Sequence, residues 1–166
     1  MATEYQEALL PAGMMDVLPP NAEIEALAME KLMSVFGTRG YDRVIPPLAE
    51  FEELLLSGSG EATKTRSFRV MDPVSQRMLA LRADMTIQIE RIASTRLSHF
   101  PRPLRLSYAG PILRTSSSNL HPERQFYQVG AELIGSESPN SDTEIILMAA
   151  HALSELGLSK ISVDLG

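Results

Sequence analysis

The sequence predicts an α+β domain, and three observations carry that expectation. Strand-like runs come in neighbouring pairs, 67–71 with 77–82 and 103–114 with 124–135. Helical periodicity recurs around and between them, over 24–36, 85–97 and 145–156. The two patterns do not alternate in the regular way that builds a doubly wound parallel sheet, so antiparallel strands with packed helices are the expected layers.

Each element has a local reason. Residues 1–9 carry no clear pattern, and LPAGMMDVLPPN (10–21) is punctuated into turns by Pro11, Gly13, Pro19 and Pro20. Ile24, Leu27, Ala28, Leu32, Val35 and Phe36 then recur at helical spacing, so one helix face should enter the core. Asn21 is the expected cap, and Gly37 or Gly40 the expected stop. YDRVIPP (41–47) reads as a short extended edge segment, because its two prolines cannot donate to a ladder. Residues 51–56 suit a short helix and SGSGEATKT (57–65) a mobile loop. The run 72–76, Asp-Pro-Val-Ser-Gln, is a hairpin turn between the first pair of strands. Over 85–97 a helix places Met85, Ile89 and Ile92 on one stripe. TSSSNLHPE (115–123) joins the second pair and is longer than a hairpin needs, a length more often functional or mobile than merely connective. Ser141, Asp142, Thr143 and Glu144 form a capping-box start to a helix over 145–156 that Gly157 stops. KISVDLG (160–166) opens a further strand. The expected organisation is one domain over 1–166, cut short on its C-terminal side.

Composition narrows the function. The 166 residues are enough for one domain with its own core, and 44% hydrophobic with 22% charged residues is an ordinary globular balance. There is no cysteine, which excludes disulfide scaffolds, thiolate metal sites and cysteine nucleophiles, and suits a cytoplasmic protein. The three histidines (His99, His121, His151) are too far apart for local metal-ligand spacing, so neither a metal nor another cofactor is expected. With 15 basic against 21 acidic residues the net charge of −6 has the wrong sign for a nucleic-acid-binding module. No apolar run approaches the roughly 18 to 20 residues of a membrane span, so no membrane partner is expected. Glycine-rich phosphate loops and nucleophile elbows are missing too, and the serines 116–118 have no His–Asp constellation in the pattern.

Two stretches could carry chemistry. Along 124–135, Phe126, Gln128, Gly130 and Glu132 share one strand face, while Tyr127, Val129, Ala131 and Leu133 form an ordinary buried face. A glycine between two polar groups leaves floor space for a ligand, although a solvent-facing polar side would give the same pattern. In LRADMT (81–86), Asp84 and Thr86 fall where a strand hands over to a helix. There they could face an amine, or one of them could simply cap the helix. Arg114, at the mouth of the long connection, could fork onto a carboxylate or phosphate, or be an ordinary surface arginine.

Taken in order and spacing, PAGMMDVLPP, GYDRVIPPLAE, LRADMT, YAGPILR and RQFYQVGAELIG resemble the catalytic core of histidyl-tRNA synthetase, over nearly the whole chain. The resemblance implies a class II aminoacyl-tRNA synthetase-like antiparallel sheet flanked by helices. GYDRVIPPLAE looks like that class's motif 1, with Pro47 in the proline position, and implies a homodimer or larger assembly. YAGPILR and RQFYQVGAE look like the strands of motif 2. By resemblance Asp84, Thr86, Arg114, Gln128 and Glu132 are the residues that would bind free histidine, and Phe126 is the aromatic under adenine.

The ATP half of the motif is degenerate. Where the family has Arg-x-Glu, this sequence has Arg114-Thr115-Ser116, and a basic residue of the motif 2 loop falls on Pro122, which offers neither charge nor donor. That profile resembles the regulatory-subunit branch, the synthetase paralogues that serve ATP phosphoribosyltransferase. Membership there implies no catalytic residues. It also implies a complex with the short-form catalytic subunit, a requirement for the first step of histidine biosynthesis, and a part in histidine feedback. The alternatives are the catalytic core of a true histidyl-tRNA synthetase and a synthetase-like binding domain within a larger signalling protein.

Overall fold

The computed structural model describes residues 10–56, 66–116 and 122–164. The expected loop at 57–65, most of the 115–123 connection and the first nine residues lie outside that set. By contacts the chain divides into two compact units. The first gathers Met1–Leu18, Pro47–Asp84 and Pro111–Tyr127, and the second Pro19–Pro46, Met85–Gly110 and Gln128–Gly166.

Among the described residues the elements are, in chain order, α1 (Asn21–Thr38), β1 (Asp42–Arg43), β2 (Ala49–Phe51), α2 (Glu52–Leu55), β3 (Arg69–Met71), β4 (Met78–Leu81), α3 (Thr86–Ser94), β5 (Leu104–Leu113), β6 (Gln125–Ile134) and α4 (Pro139–Glu155). They form two three-stranded sheets, ordered β1-β5-β6 and β2-β4-β3. In the second sheet both pairs are antiparallel, with Glu50 and Arg69 each opposite Ala80. The predicted hairpin turn is there, and the Asp72 carboxylate accepts the backbone N–H groups of Val74 and Ser75. One pairing departs from the antiparallel expectation. β1 runs parallel to β5, with Asp42 opposite Leu106, which is possible because some sixty residues separate the two strands and leave room for a crossover.

The core of the second unit is Val35, Phe36, Tyr41, Met148 and Ala152, with Leu32, Met33, Val129, Ala131 and Ile145 packed against it. α1 therefore lies on α4 and on β6, with Met33 and Met148 among the packed side chains. β5 is buried at Leu104, Leu106, Ser107, Tyr108 and Ala109, on both of its faces, as suits a strand in the middle of its sheet. Met85 at the cap of α3 and Ile89 within it are fully buried, each worth about 1.5 to 3 kcal/mol of burial. The first unit has a smaller cluster of Leu55, Leu56 and Ala80.

Several local expectations are corrected. Pro20, not Asn21, occupies the cap position of α1, and no side chain caps it. The stop is Gly40, at φ +80°, two residues past the last helical position. The outer part of the α1 apolar stripe stays in solvent, with Ile24 59% and Leu27 56% exposed. α4 begins at Pro139, capped by the Ser138 hydroxyl on the N–H of Asn140, and so starts ahead of the predicted capping box. Proline prefers the first helical position because its fixed φ suits a helix and its missing N–H is not needed there. Residues 160–164, expected to open a strand, have no ladder partner among the described residues.

Candidate functional site

The turn from β4 into α3 and the middle of β6 carry most of the predicted site residues. In the second unit, Gln128 on β6 accepts the backbone N–H of Met85 on its Oε1 at 2.9 Å. Met85 occupies the cap position of α3, so a strand side chain satisfies a helix-start donor that the cap residue's own side chain cannot. Thr86 follows as the first residue of α3 and donates its hydroxyl to Glu132 Oε1 at 3.1 Å. Thr86, Gln128 and Glu132 are thus brought to one place. Neither Asp84 nor Thr86 takes the cap position.

A fourth residue joins them that sequence reasoning missed. Tyr108 on β5 is 3% exposed, and its hydroxyl donates to the same Glu132 Oε1 at 3.1 Å and lies 3.3 Å from Thr86 Oγ1. Its ring runs over Gly130. A Cβ on residue 130 would stand 2.5 Å from Tyr108 Cζ and from its hydroxyl oxygen. The floor space expected beside Gly130 is therefore filled by an aromatic ring. Glycine is needed there for close approach of a protein side chain. The only sequence signal was a tyrosine at the start of YAGPILR, whose facing partner no spacing rule supplies. The opposite face of β6 is only partly the buried face that alternation suggested: Val129 and Ala131 pack on the core, but Tyr127 is 54% exposed.

The remaining candidates belong to the first unit. Asp84 is half-buried. Arg114 donates from Nε to the carbonyl of Ala83 at 3.3 Å, and its guanidinium carbon lies 5.0 Å from the Phe126 ring centroid. It is held by two neighbours and is not a loose surface arginine. Ser116 and Pro122 are both exposed. Arg124, unremarked in the sequence, ties the turn at residues 12–13 to β6. Its N–H reaches the Gly13 carbonyl at 2.7 Å, its Nη1 the Ala12 carbonyl at 3.0 Å, and its Nε the Arg114 carbonyl at 3.1 Å. Arg82 is buried and donates from Nε to the Pro111 carbonyl at 2.8 Å, and burial pulls its pKa down.

A cavity of about 380 Å3 lies elsewhere in the second unit, lined by Arg39, Gly40, Arg105, Glu144 and Met148. Its acid and one of its bases are already paired with each other, through Arg105 Nε to Glu144 Oε1 at 2.7 Å and Nη2 to Oε2 at 2.8 Å. Among the described residues no group of three acidic or histidine side chains could hold a metal ion. None of their helices is long and apolar enough to cross a membrane.

The sequence profile of histidyl-tRNA synthetase matches residues 13–166, which includes every residue of this constellation. The chain belongs to the histidyl-tRNA synthetase family. Within the family it is 57% identical, over 99% of its length, to the ATP phosphoribosyltransferase regulatory subunit of Paramagnetospirillum magneticum, and covers 44% of that protein. It is 40% identical over 96% of its length to the regulatory subunit of Geobacter sulfurreducens, covering 36% of it. Among solved structures, an ATP phosphoribosyltransferase regulatory subunit/histidyl-tRNA synthetase from Bacillus halodurans superposes with a TM-score of 0.82 at 29% identity, over 92% of this chain and 39% of that one. The apo histidyl-tRNA synthetase of S. aureus gives 0.74 at 26% identity, over 90% and 35%. The class II synthetase-like α+β fold is thereby shown. The chain spans less than half the length of each of these relatives.

Proposed function

We propose that this chain is the synthetase-like part of a cytoplasmic, non-catalytic regulatory subunit of ATP phosphoribosyltransferase. It assembles with the short-form catalytic subunit, is required for the first step of histidine biosynthesis, and relays inhibition by free histidine. The names of the relatives at 57% and 40% identity support the assignment.

The observation that carries it is a contrast between two sets of residues. Thr86, Gln128 and Glu132 are assembled, with a carboxylate and amide oxygens suited to a cationic amino acid. The motif 2 run Arg114-Thr115-Ser116 and Pro122 lack the carboxylate and the base that ATP activation would use. A protein so equipped can bind histidine and cannot readily adenylate it. Asp84 and Arg114 keep the ligand-binding roles that the resemblance gives them.

Two assays decide the matter on the protein at its natural length. Histidine-dependent exchange of pyrophosphate into ATP should be absent, while addition of the protein to the short-form catalytic subunit should switch on phosphoribosyl transfer. Exchange at about 1 per second or faster would instead make it a working synthetase.

A further inference from the structure

Charge is segregated along this chain. It carries 21 acidic residues, yet none falls in 91–122, a stretch that holds Arg91, Arg96, Arg102, Arg105 and Arg114. Arg105 is taken by Glu144, and Arg114 by the Ala83 carbonyl and the Phe126 ring. Arg96 and Arg102 lie on the turn that follows α3, where residues 94–103 are all exposed except half-buried Leu97. Among the described residues neither of these two arginines makes an ion pair. The turn is held in shape by its own hydrogen bonds. The Thr95 hydroxyl donates to the Arg91 carbonyl at 2.6 Å, the Ser98 hydroxyl to the Thr95 carbonyl at 3.0 Å, and Arg102 Nη2 to the Ala93 carbonyl at 2.9 Å. The rings of His99 and Phe100 lie 4.8 Å apart, and Phe100 stays 49% exposed.

We propose that the turn 94–103 is a docking surface for the short-form catalytic subunit, gripping an acidic patch of that subunit with Arg96 and Arg102 and seating Phe100 in an apolar socket beside it. This rests on the regulatory-subunit reading and names a face of the contact. The chain as a whole has a net charge of −6 and repels an acidic partner, so such a patch is steered to the turn and away from the rest of the surface. Arginine and aromatic side chains are the ones that most often carry the energy of a protein–protein contact. Because hydrogen bonds already hold the turn, binding has little backbone left to order. A nucleic acid fits less well, since its continuous run of phosphates would leave this short turn and meet the acidic remainder.

The test is the affinity of the natural-length protein for the short-form catalytic subunit, measured by calorimetric titration at low and at high salt. Arg96→Glu and Phe100→Ser change exposed side chains, so both variants should keep the thermal midpoint of the unaltered protein. Each should weaken the complex about tenfold, and Arg96→Glu should also lose the weakening by salt that the unaltered complex shows. Arg77→Glu makes the same charge change at an exposed arginine beside the turn between β3 and β4, and should bind within about twofold of the unaltered protein. Affinities of Arg96→Glu and Phe100→Ser that both match the unaltered protein overturn the proposal. An equal loss in Arg77→Glu overturns it as well, because net charge alone would then account for the effect. Binding of a single-stranded RNA of about 20 nucleotides that Arg96→Glu abolishes would make the turn a nucleic-acid surface and overturn it too. If the unaltered protein forms no complex with the catalytic subunit, the regulatory-subunit reading itself fails and takes the proposal with it. That outcome is distinct because it appears before any substitution is made.

Discussion

Arg105 grips Glu144 with two parallel hydrogen bonds, Nε to Oε1 at 2.7 Å and Nη2 to Oε2 at 2.8 Å, and so ties β5 to α4. The Tyr41 hydroxyl donates to the same Glu144 Oε1 at 2.9 Å, bringing in the segment that follows α1. Three pieces of chain far apart in sequence meet at one carboxylate. Planar two-point pairing with arginine is the strong form of this interaction. The side chains are still 34% and 30% exposed, so water screens part of its worth.

Acid should therefore loosen the second unit through Glu144. The Arg105 hydrogen bonds, helped by the Tyr41 hydroxyl and the charges of Arg105 and Arg39, hold its carboxyl down at about 2 against an ordinary 4.5. A depressed pKa means the native state releases this proton more easily than the unfolded chain. Its stabilisation is complete above pH 4.5 and is lost as pH falls towards 2. Tyr41 works at the other end. Burial first, then the hydrogen bond to Glu144 and its charge, push it to about 12, so its contribution holds below pH 10 and fades as pH rises through 12. Glu144→Gln should cost about 1 to 2 kcal/mol at neutral pH and flatten the acid limb of a denaturation-midpoint profile. Tyr41→Phe should flatten the alkaline limb. An acid limb unchanged in Glu144→Gln would mean the pair stabilises nothing.

Gly13→Ala should destabilise the first unit by about 2 to 4 kcal/mol, read as a drop in the urea midpoint. Gly13 sits at φ +75°, and a Cβ there would meet Arg124 Cγ and Cδ and the Pro122 carbonyl, each at 2.8 Å. Shortening the arginine removes two of the three clashes. The double variant Gly13→Ala, Arg124→Ala should then cost less than the sum of the single ones. Strict additivity would show that the Arg124 contact is not what makes glycine necessary.

What the sequence made legible divides along a physical line. Features set by neighbours in the chain were readable: the hairpin turn at Asp72, the order of strands and helices, and Thr86 at a strand-to-helix junction. Features set by distant partners were not. Nothing in RQFYQVGAE says that the ring of Tyr108 fills the gap at Gly130, and nothing in PAGMM says that Arg124 will take its carbonyls. Glu144 was read as a capping-box acid because its spacing from Ser141 allowed it. Arg105 and Tyr41, 39 and 103 residues away, offered it more. Ile24 and Leu27 fit the helical stripe of α1 yet stay exposed, since periodicity names the apolar face without saying what covers it.

Self-association is expected through the segment that resembles motif 1. Among the described residues β1 lies at the edge of its sheet, and Ile45 just beyond it is 78% exposed, an apolar side chain next to that edge. Soluble proteins cover such edges, and a second copy across a two-fold axis is the economical cover. Light scattering on the natural-length protein should show a dimer or larger species that Ile45→Glu shifts towards monomer. A strict monomer at micromolar concentration would remove the motif 1 reading.

Feedback should run through Glu132. A histidine ring N–H facing its carboxylate makes a charge-assisted hydrogen bond, and Glu132→Gln removes the charge while the amide oxygen can still accept from Thr86 and Tyr108. Such a loss weakens binding by about 1.5 to 3 kcal/mol, or roughly 10- to 150-fold. Coupling between two sites is a shared free energy. Under the proposed reading, weaker binding here should raise the histidine concentration that half-inhibits the catalytic partner, while activity without histidine should stay nearly unchanged, because that reading assigns Glu132 to the histidine site and not to the partner's substrates. Titrating the reconstituted complex with histidine separates the two parameters. If Glu132→Gln assembles normally and its inhibition curve overlays the unaltered one, this pocket does not read the feedback signal, and the carboxylate with its two hydroxyls is an inheritance that the fold keeps for packing.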